Sequence, residues 1–282
     1  MRKELNIDAF ESRRYGGLMV DGNKVEADPK DPKYVKLKKW NLVMGTLHLI
    51  QGIIMLVLTE EVWVPITTNF FKFQQGVGPI PNQDVLFEVP LGPMIAAFMF
   101  MSAIAHYSVA TFGYKWYVRN LSKGMNPARW YEYAISSSLM IVIIALLSGM
   151  NDAAAIILLI GCNAAMNLFG LSMELQNQYT ERTDWSNFIF GSIVGALAWI
   201  AVLMYFFGAA MDNSGNIPDF VYIATTILVL FWITFPLNMV LQYRKKGRWK
   251  DYLVGEKGYI ILSLVSKSLL AWILFFGIQA RV

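Results

Sequence analysis

The chain has 282 residues, 56% of them hydrophobic and only 16% charged, and its mean hydropathy is +0.43. This balance excludes an ordinary soluble domain and indicates an integral membrane protein with one membrane domain. The formal net charge of +4 comes from basic residues gathered in one set of loops, so it reads as a topology signal and not as a nucleic-acid footprint.

Residues 1–39 are polar and of mixed charge, which excludes a cleaved signal peptide of the usual length and order. They read as a cytoplasmic tail with room for a short amphipathic helix. A membrane crossing needs roughly 20 apolar residues, and seven runs approach that length: about 40–58, 91–114, 127–150, 153–173, 187–208, 219–242 and 258–278. The loop 59–90 is broken by Pro65, Gly76, Gly78, Pro79, Pro81 and Pro90, while β-formers at 62–67 and 69–73 predict a short hairpin there. Asn126-Pro127 supplies an N-cap and a proline at the first position of the third helix. Cys162, the single cysteine, falls in the fourth span as a small apolar residue, so no disulfide within the chain is possible. Short connections near 151–152 and 209–218 make spans three and four, and five and six, antiparallel neighbours.

Every Lys and Arg except Lys72, Arg281 and Lys267 lies in the tail or in loops 115–129, 174–186 and 243–257. This bias predicts a cytoplasmic N-terminus and, after seven crossings, a C-terminus outside. Arg244-Lys245-Lys246-Gly247-Arg248 is placed to meet anionic lipid headgroups. The expected fold is an all-α, seven-transmembrane helix bundle, multi-pass in the plasma membrane.

The ionisable residues expected inside the spans are His48, His106, Glu132 and Lys267. A bare lysine at mid-membrane costs at least about 2.5–3.5 kcal/mol, so Lys267 must be paired, snorkelled or chemically condensed with a carbonyl compound. With a helix rise of about 1.5 Å per residue, Glu132 lies roughly 8 Å beyond Pro127 and Lys267 roughly 13 Å beyond Gly258. The two can meet, either as a plain interhelical salt bridge or as a protonated Schiff base with its counterion. Ser263 and Ser136, one turn from Lys267 and Glu132, are candidate hydrogen-bonding neighbours. His48 with Gln51, and His106 with Ser102, form either hydrogen-bonded core pairs or a hydrated cavity able to take a proton. Their spacing does not predict metal ligation. Met140, Met166, Trp199, Phe231, Trp232, Phe235 and Trp272 read singly as packing and together as walls of a slot for a long flat polyene. Pro236 loosens the sixth helix beside that slot. Gly191, Ser192 and Gly195 either allow close helix packing or leave a lateral opening.

Arg129-Trp130-Tyr131-Glu132-Tyr133 followed by Ser136-Ser137-Ser138, the stretch from Tyr259 through Ser263 to Lys267-Ser268, and His48-Leu49-Ile50-Gln51 resemble the heliorhodopsins, distant relatives of the microbial rhodopsins. Gly161-Cys162-Asn163-Ala164 and Leu241-Gln242-Tyr243 carry the same likeness. The resemblance implies a rhodopsin-type bundle with retinal bound covalently to Lys267, Glu132 as counterion, and Ser263, Ser136 and Ser102 around the Schiff base. It implies a cytoplasmic-side polar cavity of His48, His106, Gln51, Asn126 and Arg129, and a retinal pocket that includes Met140, Asn163, Met166, Trp199, Trp232 and Phe235. It further implies a homodimer joined through spans four and five and the first outside loop. A second carotenoid at the lateral opening is a further candidate ligand.

The expected function is light sensing without enzymatic activity, with a proton passing into the polar cavity and helix movement signalling to a partner protein. A light-driven proton transporter or channel is the alternative, and needs charged groups on both sides of Lys267. A membrane enzyme or carrier finds no paired catalytic carboxylates and no nucleophile–base arrangement to support it.

Overall fold

The computed structural model describes residues 27–60, 62–212 and 218–279. Most of the N-terminal tail and Arg281 therefore lie outside the described residues. Seven helices are long and apolar enough to cross a membrane: α1 (Pro32–Leu58), α2 (Leu91–Ala110), α4 (Pro127–Leu147), α5 (Ala153–Gln176), α6 (Ser186–Asp212), α7 (Asp219–Tyr243) and α8 (Tyr252–Gln279). A short helix, α3 (Tyr114–Leu121), follows α2, and a 3-10 turn, Gly247–Lys250, precedes α8.

Local chemistry sets the helix starts. Asp31 caps α1 by accepting from the Lys33 amide at 3.0 Å, with Pro32 in the first turn, so the helix begins inside the segment read as tail. Asn126 caps α4 as expected, accepting from the Arg129 amide at 3.3 Å. Asp152 caps α5 through the Ala155 amide at 3.0 Å. The second helix stops at Ala110 instead of 114, because Thr111–Gly113 turns the chain into α3.

The hairpin is longer than expected: β1 (Trp63–Gln74) pairs antiparallel with β2 (Gly78–Pro90) from Trp63↔Pro90 to Gln74↔Gly78, with a register shift after Ile66. Pro65, Pro79 and Pro81 do not break it, since each strand of a two-stranded ribbon has an unpaired edge where a missing N–H is tolerated. Gly76 and Gly78, at φ 81° and 94°, make the turn. Thr67 ties the ribbon to the α4–α5 connection, its amide donating to the Asn151 carbonyl at 2.9 Å.

In the bundle α1 packs on α2 and α8, α4 packs on α2 and α5, α5 packs on α6, and α7 packs on α8. Spans three and four are antiparallel neighbours as expected. Spans five and six meet mainly through rings, Trp199 with Trp232 and Phe206 with Tyr222, with few close backbone approaches. The main apolar core joins Met55, Ile95, Met99, Ile143, Ile144, Val202, Leu270 and Leu274. Outward-facing Ile157, Leu158 and Met204 are exposed, as a lipid-facing surface requires.

Candidate functional site

Lys267 is buried in α8, and its Nζ donates to Glu132 Oε1 of α4 at 2.5 Å and to Ser102 Oγ of α2 at 2.6 Å. Ser102 in turn donates to the same Glu132 oxygen at 2.7 Å. One ammonium, one carboxylate and one hydroxyl from three helices thus close a triangle. Ser102, which the sequence reading placed one turn from His106 and among the Schiff-base neighbours, is the serine that meets the nitrogen. Ser263 is buried one turn away without a hydrogen bond to Nζ, and Ser136 is buried one turn beyond Glu132, beside its carboxylate. Tyr133 brings its ring within 5.4 Å of Nζ.

Lys267 lines a cavity between α4, α5, α6, α7 and α8 with about 1030 Å³ free of atoms, its open mouth included. Met140, Asn163, Met166, Trp199, Trp232 and Phe235 all line it, and so does Pro236. Trp199 and Trp232 stand with ring centres 6.1 Å apart, and the Trp232 indole donates to Met166 Sδ at 3.2 Å. Asn163 turns its amide to Ser137 and Ser138 at 2.7 and 3.0 Å. Gly191 and Ser192 line this cavity, whereas Gly195 lets Met166 approach the α6 backbone closely. Trp272 is not on the wall, because its indole donates to Gln51 Oε1 at 3.1 Å.

A second, more polar cavity lies on the other side of the nitrogen. Ser102, His106, Glu132, Asn126, Arg129, Asn41, Tyr117 and Glu256 line it, and Ser263 and Tyr133 border both cavities. His106 Nδ1 meets Asn41 Oδ1 at 2.7 Å, and its ring stacks on His48 with centres 5.6 Å apart and planes 12° apart. His48 is buried behind it, with Nδ1 3.4 Å from Met99 Sδ. Gln51 does not join this group, since its carboxamide faces Trp272 and donates to Leu47 O.

Residues 37–279 match the family model of the heliorhodopsins. The chain belongs to the heliorhodopsin family. A search of curated proteins gave no match. As a heliorhodopsin it is an integral, multi-pass membrane protein and a light-sensing, retinal-binding relative of the microbial rhodopsins. The first cavity suits retinal: it is walled by indole, phenyl and thioether groups and carries an amine on its wall. Lys267 would hold the group, and the six pocket residues would enclose it.

This heliorhodopsin also holds a buried cluster whose two carboxylates, Glu174 and Glu256, the spans drawn from hydropathy left in loops. Arg129 pairs with both Glu174 of α5 and Glu256 of α8, with side-chain exposures of 4%, 0% and 2%. Glu174 also accepts from Trp130 Nε1 at 2.7 Å, the Asn126 amide at 2.8 Å and the Tyr252 hydroxyl at 3.1 Å. Glu256 accepts from Asn126 Nδ2 at 2.6 Å and the Tyr117 hydroxyl at 3.0 Å. Burial, followed by the facing Glu256 carboxylate, raises the Tyr117 phenol well above the ordinary tyrosine range, so it stays protonated. The guanidinium lies 3.9 Å from the Tyr259 ring centre. Gly170 makes room for the Trp130 ring, which lies where a Cβ would be. The available signal was helical phase: Glu256 is eleven residues before Lys267, about three turns, and so on the same face.

Proposed function

We propose that this protein is a light sensor in which retinal is joined to Lys267 Nζ as a protonated Schiff base, with Glu132 as counterion. The supporting observation is the position of that nitrogen at a wall between two unlike cavities. Lys267 lines the apolar one, and its hydrogen-bond partners Glu132 and Ser102 line the polar one. When bound, retinal supplies light-driven isomerisation about a double bond and a colour that reports the charge around its nitrogen. Glu132 balances the positive charge at Nζ, and Ser102 holds both groups in register by accepting from one and donating to the other. Met140, Met166, Trp199, Trp232 and Phe235 exclude water from the apolar side. Turning the nitrogen away from Glu132 weakens their attraction and leaves the second cavity, with His106, Asn126 and Arg129, to receive a proton. Pro236, on the cavity wall and inside α7, gives that helix a place to bend and carry the change toward a signalling partner.

The finer setting belongs to the same proposal. The Arg129 end of the bundle is cytoplasmic, the hairpin end faces outward, and the membrane is the plasma membrane. The protein acts as a homodimer, with anionic lipid at Arg244–Arg248 and a carotenoid as a candidate second ligand. Retinal added to the expressed chain should give a visible pigment, and Lys267→Ala none that survives denaturation as an adduct. If Glu132→Gln leaves the absorption maximum and its pH dependence untouched, Glu132 is not the counterion. A sensor gives at most a transient photocurrent, whereas a sustained one under voltage clamp would turn the reading to a proton transporter or channel. Among the described residues, Arg129, Glu174, Glu256 and His106 lie on one side of Lys267, and no buried ionisable group answers them on the hairpin side, which favours the sensor.

A further inference from the structure

The Lys267–Glu132 pair balances its own charge, whereas Arg129 faces two carboxylates. The buried cluster of Arg129, Glu174 and Glu256 therefore carries an excess anion in a place where unpaired charge is costly. One added proton would neutralise it. We propose that Glu256 is the terminal acceptor of the proton that leaves Lys267 Nζ, an inference that rests on Lys267 being the retinal attachment site.

The two carboxylates differ in what surrounds them. Glu174 Oε2 is held by the Trp130 indole and the Asn126 amide, which donate and cannot accept, and Oε1 by Arg129 and Tyr252. A proton on Oε2 would have no acceptor to face, and one on Oε1, where Tyr252 could accept it, would displace the Arg129 guanidinium from that same oxygen. Glu256 Oε1 instead meets the Tyr117 hydroxyl, which can donate or accept. Once Oε1 carries a proton it donates to the Tyr117 oxygen, and the phenol proton turns to Asn41, which stands beside it. Asn41 Oδ1 has a lone pair left after its contact with His106 Nδ1, and its amide is fixed on Leu37 O at 3.0 Å.

Position separates the candidates as well. Glu256 lines the second cavity together with Ser102 and Glu132, and Glu174 does not. His106 lines it too, with Nδ1 donating to Asn41 Oδ1, so a proton on its Nε2 would add a cation to the cavity, whereas one on Glu256 cancels a surplus charge; His48 sits behind its ring away from the cavity. The ionisable groups around Glu256 are Arg129 from α4, Glu174 from α5, Tyr117 from α3, and Tyr252 and Tyr259 from its own helix. In the transfer an N–H bond at Lys267 Nζ breaks and an O–H bond at Glu256 Oε1 forms. The nitrogen loses its positive charge and Glu256 its negative one. The excess negative charge thereby passes from the Arg129 cluster to Glu132, and the total is unchanged. Glu132 is the nearest base and serves as a way station, with the cavity roomy and polar enough for bridging water.

Infrared difference spectra after a flash, on the full chain with retinal in lipid nanodiscs, test this. A protonated-carboxyl C=O band should grow as the visible spectrum marks loss of the nitrogen proton; it should vanish in Glu256→Gln and persist in Glu174→Gln. A late band that survives in Glu256→Gln, or a deprotonated nitrogen with no late carboxyl band in the wild type, overturns the proposal. Tyr117→Phe should keep the band and move its frequency, and an unmoved frequency counts against it; this variant decides the matter if Glu256→Gln does not fold. In the retinal-free chain, lowering the pH should raise a carboxyl band that Glu256→Gln lacks, and an identical band in both overturns the assignment. Failure of the underlying reading looks different: Lys267→Ala would still form a covalent pigment.

Discussion

Arg129→Gln should destabilise the protein more than any other conservative change at the Arg129 end of the bundle. It leaves Glu174 and Glu256 facing each other, both almost fully buried, with only neutral donors from Asn126, Trp130, Tyr117 and Tyr252. It also removes the stacking of the guanidinium on Tyr259. Taking one partner from a buried ionic group costs about 3–5 kcal/mol, a large share of the roughly 5–15 kcal/mol that holds a typical protein together. The ratio of folded to unfolded chain should fall by roughly two to three and a half orders of magnitude, at about 1.4 kcal/mol per tenfold. Unfolding in mixed micelles as the SDS fraction rises, followed by loss of helical signal, measures it. The triple variant Arg129→Met, Glu174→Gln, Glu256→Gln should recover most of the loss, because an ionic cluster removed whole leaves no uncompensated charge. If Arg129→Gln unfolds at the wild-type midpoint, or the triple variant is worse than the single one, the cluster does not contribute to stability in this way.

Two further expectations follow from local geometry. Gly170→Ala places a methyl group inside the space of the Trp130 ring, so it should cost about 1–3 kcal/mol by overpacking and weaken the Trp130–Glu174 bond; an indole N–H resonance or fluorescence unchanged from wild type would refute that. Asp184, in the exposed α5–α6 connection, accepts from the Ser186 amide at 2.8 Å, and that bond holds its carboxyl below the ordinary value of 3.8. Because the folded value is depressed, its contribution is present above the unfolded value and is lost as pH falls through the lower folded one. The Asp184 carboxyl resonance should therefore titrate below 3.8, and titration at or above it would remove the argument.

The apolar runs located all seven crossing helices, because lipid-facing segments must be apolar over their whole middle. They trimmed the ends. Glu174 and Glu256 sit one and two residues beyond the apolar windows, and a charged residue there looks like the start of a loop until a partner such as Arg129 is seen across the bundle. The Lys267–Glu132 meeting was legible from helix rise and from the scarcity of other intramembrane charges. Its third member, Ser102, came from the family resemblance alone, since it lies far away in sequence and nothing in α2 by itself aims it at α8. Gln51 was misplaced for a rotational reason. Three residues from His48 fall about 60° short of a full turn, enough to swing its amide from the histidine pair to Trp272. The hairpin was foreseen, but the β-formers at 62–67 and 69–73 both belong to its first strand; the second, Gly78–Pro90, was hidden because its prolines read as breakers, and the absence of a third strand is a tertiary fact.

The triangle at Lys267 draws on residues 102, 132 and 267, and this spacing bears on how the protein is made. Chains enter the membrane from the N-terminus onward. Arg129 and Glu174 can satisfy each other once α5 is inserted, but Glu132 has no cation of its own until the last helix arrives. A nascent bundle of six helices thus holds a buried carboxylate without a counter-charge, a state that membranes tolerate poorly. Insertion of α8 delivers Lys267 to Glu132 and Glu256 to Arg129 in one event. Completion of the photochemical site and relief of that stress are the same step in biosynthesis, so a chain stalled before α8 should be recognised as unfinished by its charge alone.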